Sequence, residues 1–448
     1  MDTIVALATP LGRSGIGVIR LSGPDVLTIA RAITGDDDFN PEPRYSTLKK
    51  IQDSNREIEE ALFVYFKSPA SYTGEDVIEI SCHGSPVLLR QIIDMCLKAG
   101  ARLAEAGEYT LRALANGKLD LAQAEAVRDL IDANSIAMTR QAIRQLRGEF
   151  SHQLQPVKDE LLNDIVVLES ALEFVEDDLP ETQSAKIRER LERLAGKLRK
   201  LAATFSAGRL LREGIRVALV GRPNVGKSSI FNAMIGQEAA IVTEIPGTTR
   251  DQLKESFTIE SIPVSLIDTA GLRETEDRVE SIGVARSRRA MADADVVVAV
   301  MDGSEDLTQE DREILEESRD LNRIIVINKD DLFDAPVGPK EFENETVVIT
   351  SAKTGHGLQK LEEAIIEPYR GEVSETRGFV VSDARHHDLL ERAADEIEAS
   401  IELLDQRMSE EIILVGLHNA IRFLGEITGE TTTEDMLTRV FETFCIGK

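Results

Sequence analysis

The sequence predicts a multidomain fold, α/β plus α: an N-terminal α+β domain, a helical bundle drawn from two chain segments, and an inserted α/β domain with a mainly parallel sheet. Three observations predict it. The hydrophobic period changes along the chain, a strand–helix alternation lies between two purely helical stretches, and 448 residues suffice for about two to four domains.

Residues 1–117 mix short strands with helices. Ile4–Ala8, Gly17–Leu21, Ala61–Phe66 and Val77–Ser81 are short apolar runs bounded by Gly, Pro or Ser, which predicts strands. Pro86–Lys98 predicts a helix, with Ser85 as its cap, Pro86 in its first turn and Gly100 at its end. Gly12-Arg-Ser-Gly15-Ile-Gly17 lacks a following Lys-Ser pair and is expected to be a turn, not a phosphate loop.

Residues 118–212 turn helical. Leu154, Val157, Leu161, Ile165, Leu168, Leu172 and Val175 recur every three or four residues and mark one buried face. A second helical stretch is expected from Glu181 to Leu211. Residues 372–448 resume the pattern with Leu390, Ala394, Ile397, Ile401 and Leu404, then Ile413 to Ile427. Neither segment buries its apolar stripe alone, so the two are expected to pack as one discontinuous helical domain. His386 and His387 open a polar helix there and are expected to be solvated.

Residues 213–371 alternate the β-branched runs Ile215–Val220, Val264–Ile267, Val296–Met301, Ile324–Ile327 and Val347–Ile349 with helical patterns near Ser229–Ile235, Glu280–Met291, Leu307–Ser318 and Leu358–Ile366. Such alternation gives a mainly parallel sheet with helices on both faces, and ligands bind at the carboxyl ends of its strands.

Composition bounds the function. Hydrophobic residues make up 42% and charged residues 29%, as in a globular protein. No apolar run reaches the ~20 residues that span a bilayer, and no basic stretch precedes an apolar one at the N-terminus. A cytoplasmic chain without a membrane partner is therefore expected. Cys82, Cys96 and Cys445 cannot form a disulfide framework or a zinc site; the first two, in apolar segments, are expected to be buried thiols. A net charge of −28 opposes broad attraction to nucleic acid, so an RNA partner needs a local basic patch or a second protein.

The chemistry lies in the alternating segment. Gly221-Arg-Pro-Asn-Val-Gly226-Lys227-Ser228 follows a strand, precedes a helix and fits a phosphate loop. Backbone N–H groups from Asn224, Val225, Gly226, Lys227, Ser228 and Ser229 can cradle phosphate, Lys227 supplies charge, and the Ser228 hydroxyl can ligate Mg²⁺. Asp268-Thr269-Ala270-Gly271 can hold the magnesium shell through its acid and meet the γ-phosphate through the Gly271 N–H. In Asn328-Lys329-Asp330-Asp331, the Asp331 carboxylate can accept two hydrogen bonds from guanine that adenine cannot donate. Ser351, Ala352 and Lys353 can complete the base pocket. These elements in this order imply GTP binding in a Ras-like P-loop G domain. The residue after Gly271 is Leu272, where a Gln would orient the attacking water, so that help must come from elsewhere in the chain or from an outside activator.

Further segments carry a resemblance: Asp2-Thr-Ile-Val-Ala, Ser71-Tyr-Thr-Gly-Glu-Asp, Asn116-Gly-Lys-Leu-Asp-Leu-Ala-Gln-Ala-Glu-Ala, Gly247-Thr-Thr-Arg-Asp251, Asp268-Thr-Ala-Gly-Leu-Arg273 and Cys445-Ile-Gly-Lys448. With them the chain resembles, over essentially its whole length, the MnmE (TrmE) family of bacterial tRNA-modification GTPases. The resemblance implies a K⁺-dependent GTPase whose G domains pair across a dimer. It implies that Thr243, Glu244, Ile245, Pro246, Gly247, Thr248 and Thr249 join the GTP site, that Asn224, Thr243, Ile245 and Thr248 bind K⁺, and that Thr249 joins Ser228 on Mg²⁺. Read alone, Glu280 is an acid at a helix start, where the dipole favours it; the resemblance implies that it positions the attacking water.

The resemblance further implies that the N-terminal domain is a folate-binding and dimerisation domain. Arg20, Glu79, Lys118 and Lys448 would contact 5-formyl- or 5,10-methylene-tetrahydrofolate. A pterin amine suits a carboxylate and a folate glutamate suits cations, although each residue alone also reads as a surface charge. Cys445 reads either as a catalytic thiol near that site or as a structural one. The implied partners are a second copy of the chain, the flavoprotein MnmG in a heterotetramer, and tRNA reached mainly through MnmG. The implied task is modification of the wobble uridine. Two other readings stay open. One is a ribosome-assembly GTPase, against which counts the lack of a Gly-x-x-Gly segment after residue 371; the other is a GTP-binding scaffold without useful turnover.

Overall fold

The computed structural model describes residues 2–53, 56–173, 181–237, 255–260, 262–267, 290–333, 342, 345–374, 378–431, 434–445 and 447. The chain forms two compact units. Unit 1 takes Met1–Asp132, Ala142–Ala195 and Arg392–Lys448; unit 2 takes Ala133–Gln141 and Gly196–Glu391.

Unit 1 opens with β1 (Ile4–Leu7), β2 (Ser14–Ser22), α1 (Val26–Thr34), β3 (Ser46–Asp53), β4 (Arg56–Phe66), β5 (Val77–Gly84), α2 (Pro86–Lys98), β6 (Arg102–Leu103) and α3 (Glu108–Ala115). The strands form one sheet in the order β3-β4-β5-β2-β1-β6, antiparallel except for β1 with β6. Successive strand residues face opposite sides. Ile19, Leu21, Phe63, Ile78 and Ile80 therefore share a buried face with Ile29, Ile33 and Ile92 of α1 and α2, while Ile4 and Ala6 pack with Ala104 and Tyr109. Periodicity missed β3, β6, α1 and α3. The Gly12–Gly17 expectation needs correction: Ser14 already pairs with Gly84 in β2, and the irregularity between Ser14 and Gly17 sits inside the strand. Ser85 stands at the N-cap of α2 but its side chain makes no cap bond, and Ala99 closes the helix.

The helices follow as α4 (Leu121–Asp132), α5 (Ile136–Leu146), α6 (Glu149–Glu173), α7 (Glu181–Ala202) and α8 (Phe205–Glu213). The expected helix over Glu181–Leu211 is thus two, because the chain turns at Ala203 and Thr204. After unit 2's sheet come α12 (Ala384–Asp405), α13 (Glu410–Thr428) and α14 (Glu434–Phe441). Leu154, Val157, Leu161, Ile165 and Leu168 are buried on α6, as are Ile413, Leu417, Leu424 and Ile427 on α13, which packs along it. Lys158 reaches Glu430 at 2.5 Å and His418 reaches Glu169 at 3.2 Å, tying the early segment to the late one.

Unit 2 contains β7 (Ile215–Val220), α9 (Lys227–Gln237), β8 (Glu255–Ile259), β9 (Ile262–Ile267), β10 (Val296–Asp302), α10 (Gln309–Glu317), β11 (Arg323–Asn328), β12 (Val347–Ile349) and α11 (Leu358–Ser374). Its sheet runs β12-β11-β10-β7-β9-β8 and is parallel except for the edge strand β8, which sequence reading missed. Val296, Val298 and Val300 point to one core with Ile230 and Leu361, and Val297, Ala299 and Met301 to the other with Ala290 and Met291. Burial on both faces explains why these strands read as continuous apolar runs.

The histidine expectation is overturned. His386 is 1% exposed, with its Nε2 2.9 Å from Arg385 Nη2. His387 stacks on Phe205 with ring centroids 4.5 Å apart. Gly208 of α8 lies so close to the Val381 carbonyl that a Cβ would collide with it, and Arg212 pairs with Asp383 at 2.6 Å. His386 is thus buried, whereas His387 is half-buried against the Phe205 ring. Among the described residues no helix is long and apolar enough to cross a membrane.

Candidate nucleotide site

The loop Gly221–Ser228 joins β7 to α9 at the carboxyl end of the parallel sheet. Gly221 (φ +152°) and Gly226 (φ +101°) adopt backbone that side chains disfavour, and Asn224 sits at φ +66°. A Cβ at Gly221 would strike the Val300 carbonyl; one at Gly226 would strike Asn328 Nδ2. Val225 is fully buried and pins the loop to the core. Lys227 Nζ donates to the carbonyls of Gly221 at 2.6 Å and Arg222 at 2.8 Å, arching back over its own loop. Burial pulls the Lys227 pKa down, with partial relief from Glu310.

Asn328 ends β11 and is 2% exposed. Its Nδ2 donates to the Val225 carbonyl at 2.8 Å, and its Oδ1 accepts from Ala352 N at 3.2 Å and Thr350 Oγ1 at 3.3 Å. This one amide therefore joins the phosphate loop, the base loop and the Ser351–Lys353 segment. Lys329 is left-handed at φ +70°. Asp331 accepts from Ser351 Oγ at 2.7 Å and lies 3.6 Å from Lys353 Nζ; Ser351 first, and Lys353 with it, hold its carboxyl below the usual carboxylate range.

The structure thus brings together the phosphate-loop residues Asn224 to Ser229, Asn328, Lys329, Asp331, Ser351, Ala352 and Lys353. Thr243 to Thr249, Asp268 to Gly271, Glu280 and Lys448 lie outside the described residues. Sequence reading missed three acids. Asp302 meets Lys329 at 2.5 Å, and Arg222 of the phosphate loop pairs with Glu305 at 2.6 Å and Asp311 at 3.2 Å. The available signal was an acid closing an apolar strand (Asp302) and a Thr-x-x-Asp helix start (Asp311), which forms a capping box with Thr308.

In the N-terminal sheet, Arg20 and Glu79 face each other across β2 and β5 and pair at 2.7 Å. Arg20 Nη1 also donates to the Gly447 carbonyl at 3.1 Å, so the last described residue closes on this pair. Lys118 instead donates to the Pro69 carbonyl at 3.0 Å. Cys445 is exposed, whereas Cys82 and Cys96 are buried, which pushes their thiols up to about 11 and about 12.

Three loops, Gly221–Ser228, Asn328–Asp331 and Ser351–Lys353, meet at one end of a parallel sheet in the order and spacing that define a class: the P-loop GTPases. A family model described as the MnmE helical domain matches residues 121–445, and another, GTP-binding protein TrmE N-terminus, matches residues 3–118. Proteins named tRNA modification GTPase MnmE are 42% identical over 449 residues in Aquifex aeolicus (strain VF5), covering all of both chains, and 44% identical over 450 residues in Neisseria gonorrhoeae (strain NCCP11945), covering 100% of this chain and 99% of that one. The chain belongs to the MnmE (TrmE) family of tRNA modification GTPases and hydrolyses GTP. The crystal structure of the G domain of the T. maritima FeoB iron transporter is 31% identical over 34% of this chain and 97% of its own, with a TM-score of 0.27.

Proposed function

We propose that the chain is a potassium-dependent GTP hydrolase that acts as a homodimer in the cytoplasm. With the flavoprotein MnmG, in a heterotetramer, it would add an aminomethyl or carboxymethylaminomethyl group to carbon 5 of the wobble uridine of certain tRNAs. A tetrahydrofolate derivative, 5-formyl- or 5,10-methylene-tetrahydrofolate, would supply the one-carbon unit. One observation carries this reading: relatives named tRNA modification GTPase match over 100% of this chain, so the likeness spans the nucleotide site, the helices and the N-terminal sheet alike.

The residues fit the groups the reading needs. Lys227 and the N–H groups of the loop would meet charge developing on the GTP phosphates, where preorganised donors are most effective. Mg²⁺ would be held by Ser228 and Thr249 and would offset phosphate charge. Asn224 is exposed, and its side chain has no partner among the described residues, so it is available to K⁺ beside Thr243, Ile245 and Thr248. Glu280 would orient the attacking water in place of the Gln that Leu272 replaces. In the N-terminal sheet the Arg20–Glu79 pair, 18% and 28% exposed, offers a cation and a carboxylate to a folate, with Lys118 and Lys448 as further cations. Cys445, which is exposed, is a candidate thiol for the modification step.

In this reading residues 1–117 bind folate and dimerise, 213–371 form the G domain, and 118–212 with 372–448 carry its motion. Two measurements test it. GTP turnover should be faster in K⁺ than in Na⁺; equal slow rates would remove the potassium mechanism. Mass spectrometry of tRNA from a strain lacking the protein should find the wobble uridines unmodified, and an unchanged nucleoside profile would leave only the GTPase.

A further inference from the structure

Lys329 carries a long side chain on left-handed backbone, φ +70°, a conformation that non-glycine residues adopt only when something holds them there. Asp302 anchors the far end of that side chain. It is the last residue of β10, stands directly across from Asn328 in the parallel ladder, and its side chain is 4% exposed. Its Oδ2 lies 2.5 Å from Lys329 Nζ, while its Oδ1 accepts from the Ser304 N–H at 3.0 Å and the Ser304 hydroxyl at 2.6 Å. Gly303 N donates to the Asn328 carbonyl at 2.9 Å, so the turn after β10 is fastened to the base loop twice. Burial raises the Asp302 pKa, but Lys329 and Ser304 outweigh it and keep the acid ionised. With its ammonium anchored and its side chain still 30% exposed, Lys329 has only its methylene stem left to offer a ligand.

From this geometry we infer that Asp302, oriented by Ser304, is a positioning residue for the purine site: it fixes the Lys329 ammonium so that the lysine stem forms an apolar platform for the guanine ring. This rests on the reading that Asn328–Asp331 receives the base. The platform touches the base and not the γ-phosphate, so it serves GDP and GTP equally and affects binding, not turnover.

The test uses the full chain, a fluorescent GDP analogue and steady-state GTP hydrolysis. Asp302→Asn should raise the Kd for the analogue and the KM for GTP about tenfold, the scale of one charge-assisted contact, with kcat unchanged. Asp302 acts through Lys329, so the double variant Asp302→Asn/Lys329→Met should bind no more weakly than Lys329→Met alone. Ser304→Ala, a milder change that tests the same hold if Asp302→Asn does not fold, should raise both constants about threefold without altering kcat. Parental affinity in Asp302→Asn or Ser304→Ala, losses that add in the double variant, or a lower kcat at unchanged KM would overturn the proposal. Asp331→Asn serves as the separate check on the base loop, and should exchange guanine for xanthine nucleotides. If it does not, the base-loop reading fails, and the platform with it; if it does while Asp302→Asn binds normally, the platform alone fails.

Discussion

Gly226 answers to two constraints at once. Its φ of +101° disfavours any side chain, and a Cβ there would strike the Asn328 amide. That amide is buried and bonded on both sides, to Val225 and to Ala352. Gly226→Ala should therefore push Asn328 off the Val225 carbonyl and leave a buried donor without a partner, at a cost of about 1–3 kcal/mol. The expected result is at least about tenfold weaker guanine-nucleotide binding with an unaltered circular dichroism spectrum, and parental affinity would contradict the linkage. What makes these residues work together was only partly visible in the sequence. The Gly, Lys and Asn spacings are local and were readable. The Arg222–Asp311 and Asp302–Lys329 pairs join residues 89 and 27 positions apart, and no local pattern encodes such meetings.

Among the elements, those with strong periodicity could be read almost to their ends: Pro86–Lys98, Ile215–Val220 and Val347–Ile349 match the observed bounds. β3 and β8 were missed because edge strands need not be apolar; β3 places Lys49 and Lys50 between its two hydrophobic residues, Leu48 and Ile51. The burial of His386 was unreadable because nothing in the polar start of its own helix, Ala-Arg-His-His-Asp from Ala384 on, marks it as core. The α6–α13 pair allows a test at this scale. Lys158 is 5% exposed at its side chain and its Glu430 partner 57%. Replacing the lysine by an apolar residue of similar length removes a buried charge, whereas neutralising the acid strands one. Lys158→Met should stay within about 1 kcal/mol of the parent. Glu430→Gln should cost about 2 kcal/mol, less than a fully buried pair because the acid is open to solvent. Urea denaturation of the two variants distinguishes the cases, and equal losses would argue that the pair is ordinary surface charge.

For the molecule as a whole, acidity sets the expectations. Arg323 holds Glu345 below the usual carboxylate range; burial raises Asp295 and Glu108, but Arg216 for the one and Arg102 and Arg112 for the other more than reverse it. A carboxyl with a lowered folded pKa contributes stability that is present above its unfolded value, about 4, and is lost as pH falls through the folded value. The urea midpoint should therefore stay level down to about pH 5 and fall below about pH 4. Asp164 runs the opposite way: burial, opposed by Arg190, raises its pKa, so its contribution is lost as pH rises through that raised value. Asp164→Asn should make the acid limb steeper, and an unchanged or shallower limb would contradict this sign. A net charge of −28 also predicts that the chain alone binds tRNA no better than non-specifically, with Kd above roughly 10⁻⁶ M at physiological salt. Filter binding with and without the proposed flavoprotein partner would check it.

Lys158 and Glu430 lie 272 positions apart, and α6 precedes residues 196–391 in the chain whereas α13 follows them. A ribosome thus delivers α6 long before the helix that shelters it. In the interval the face of α6 that packs along α13 lacks that cover, and a chaperone or a transient collapse would shield it. The parallel sheet, whose strands all come from one continuous stretch, can finish in the meantime. α6 therefore waits for α13, although it leaves the ribosome well before the parallel sheet does.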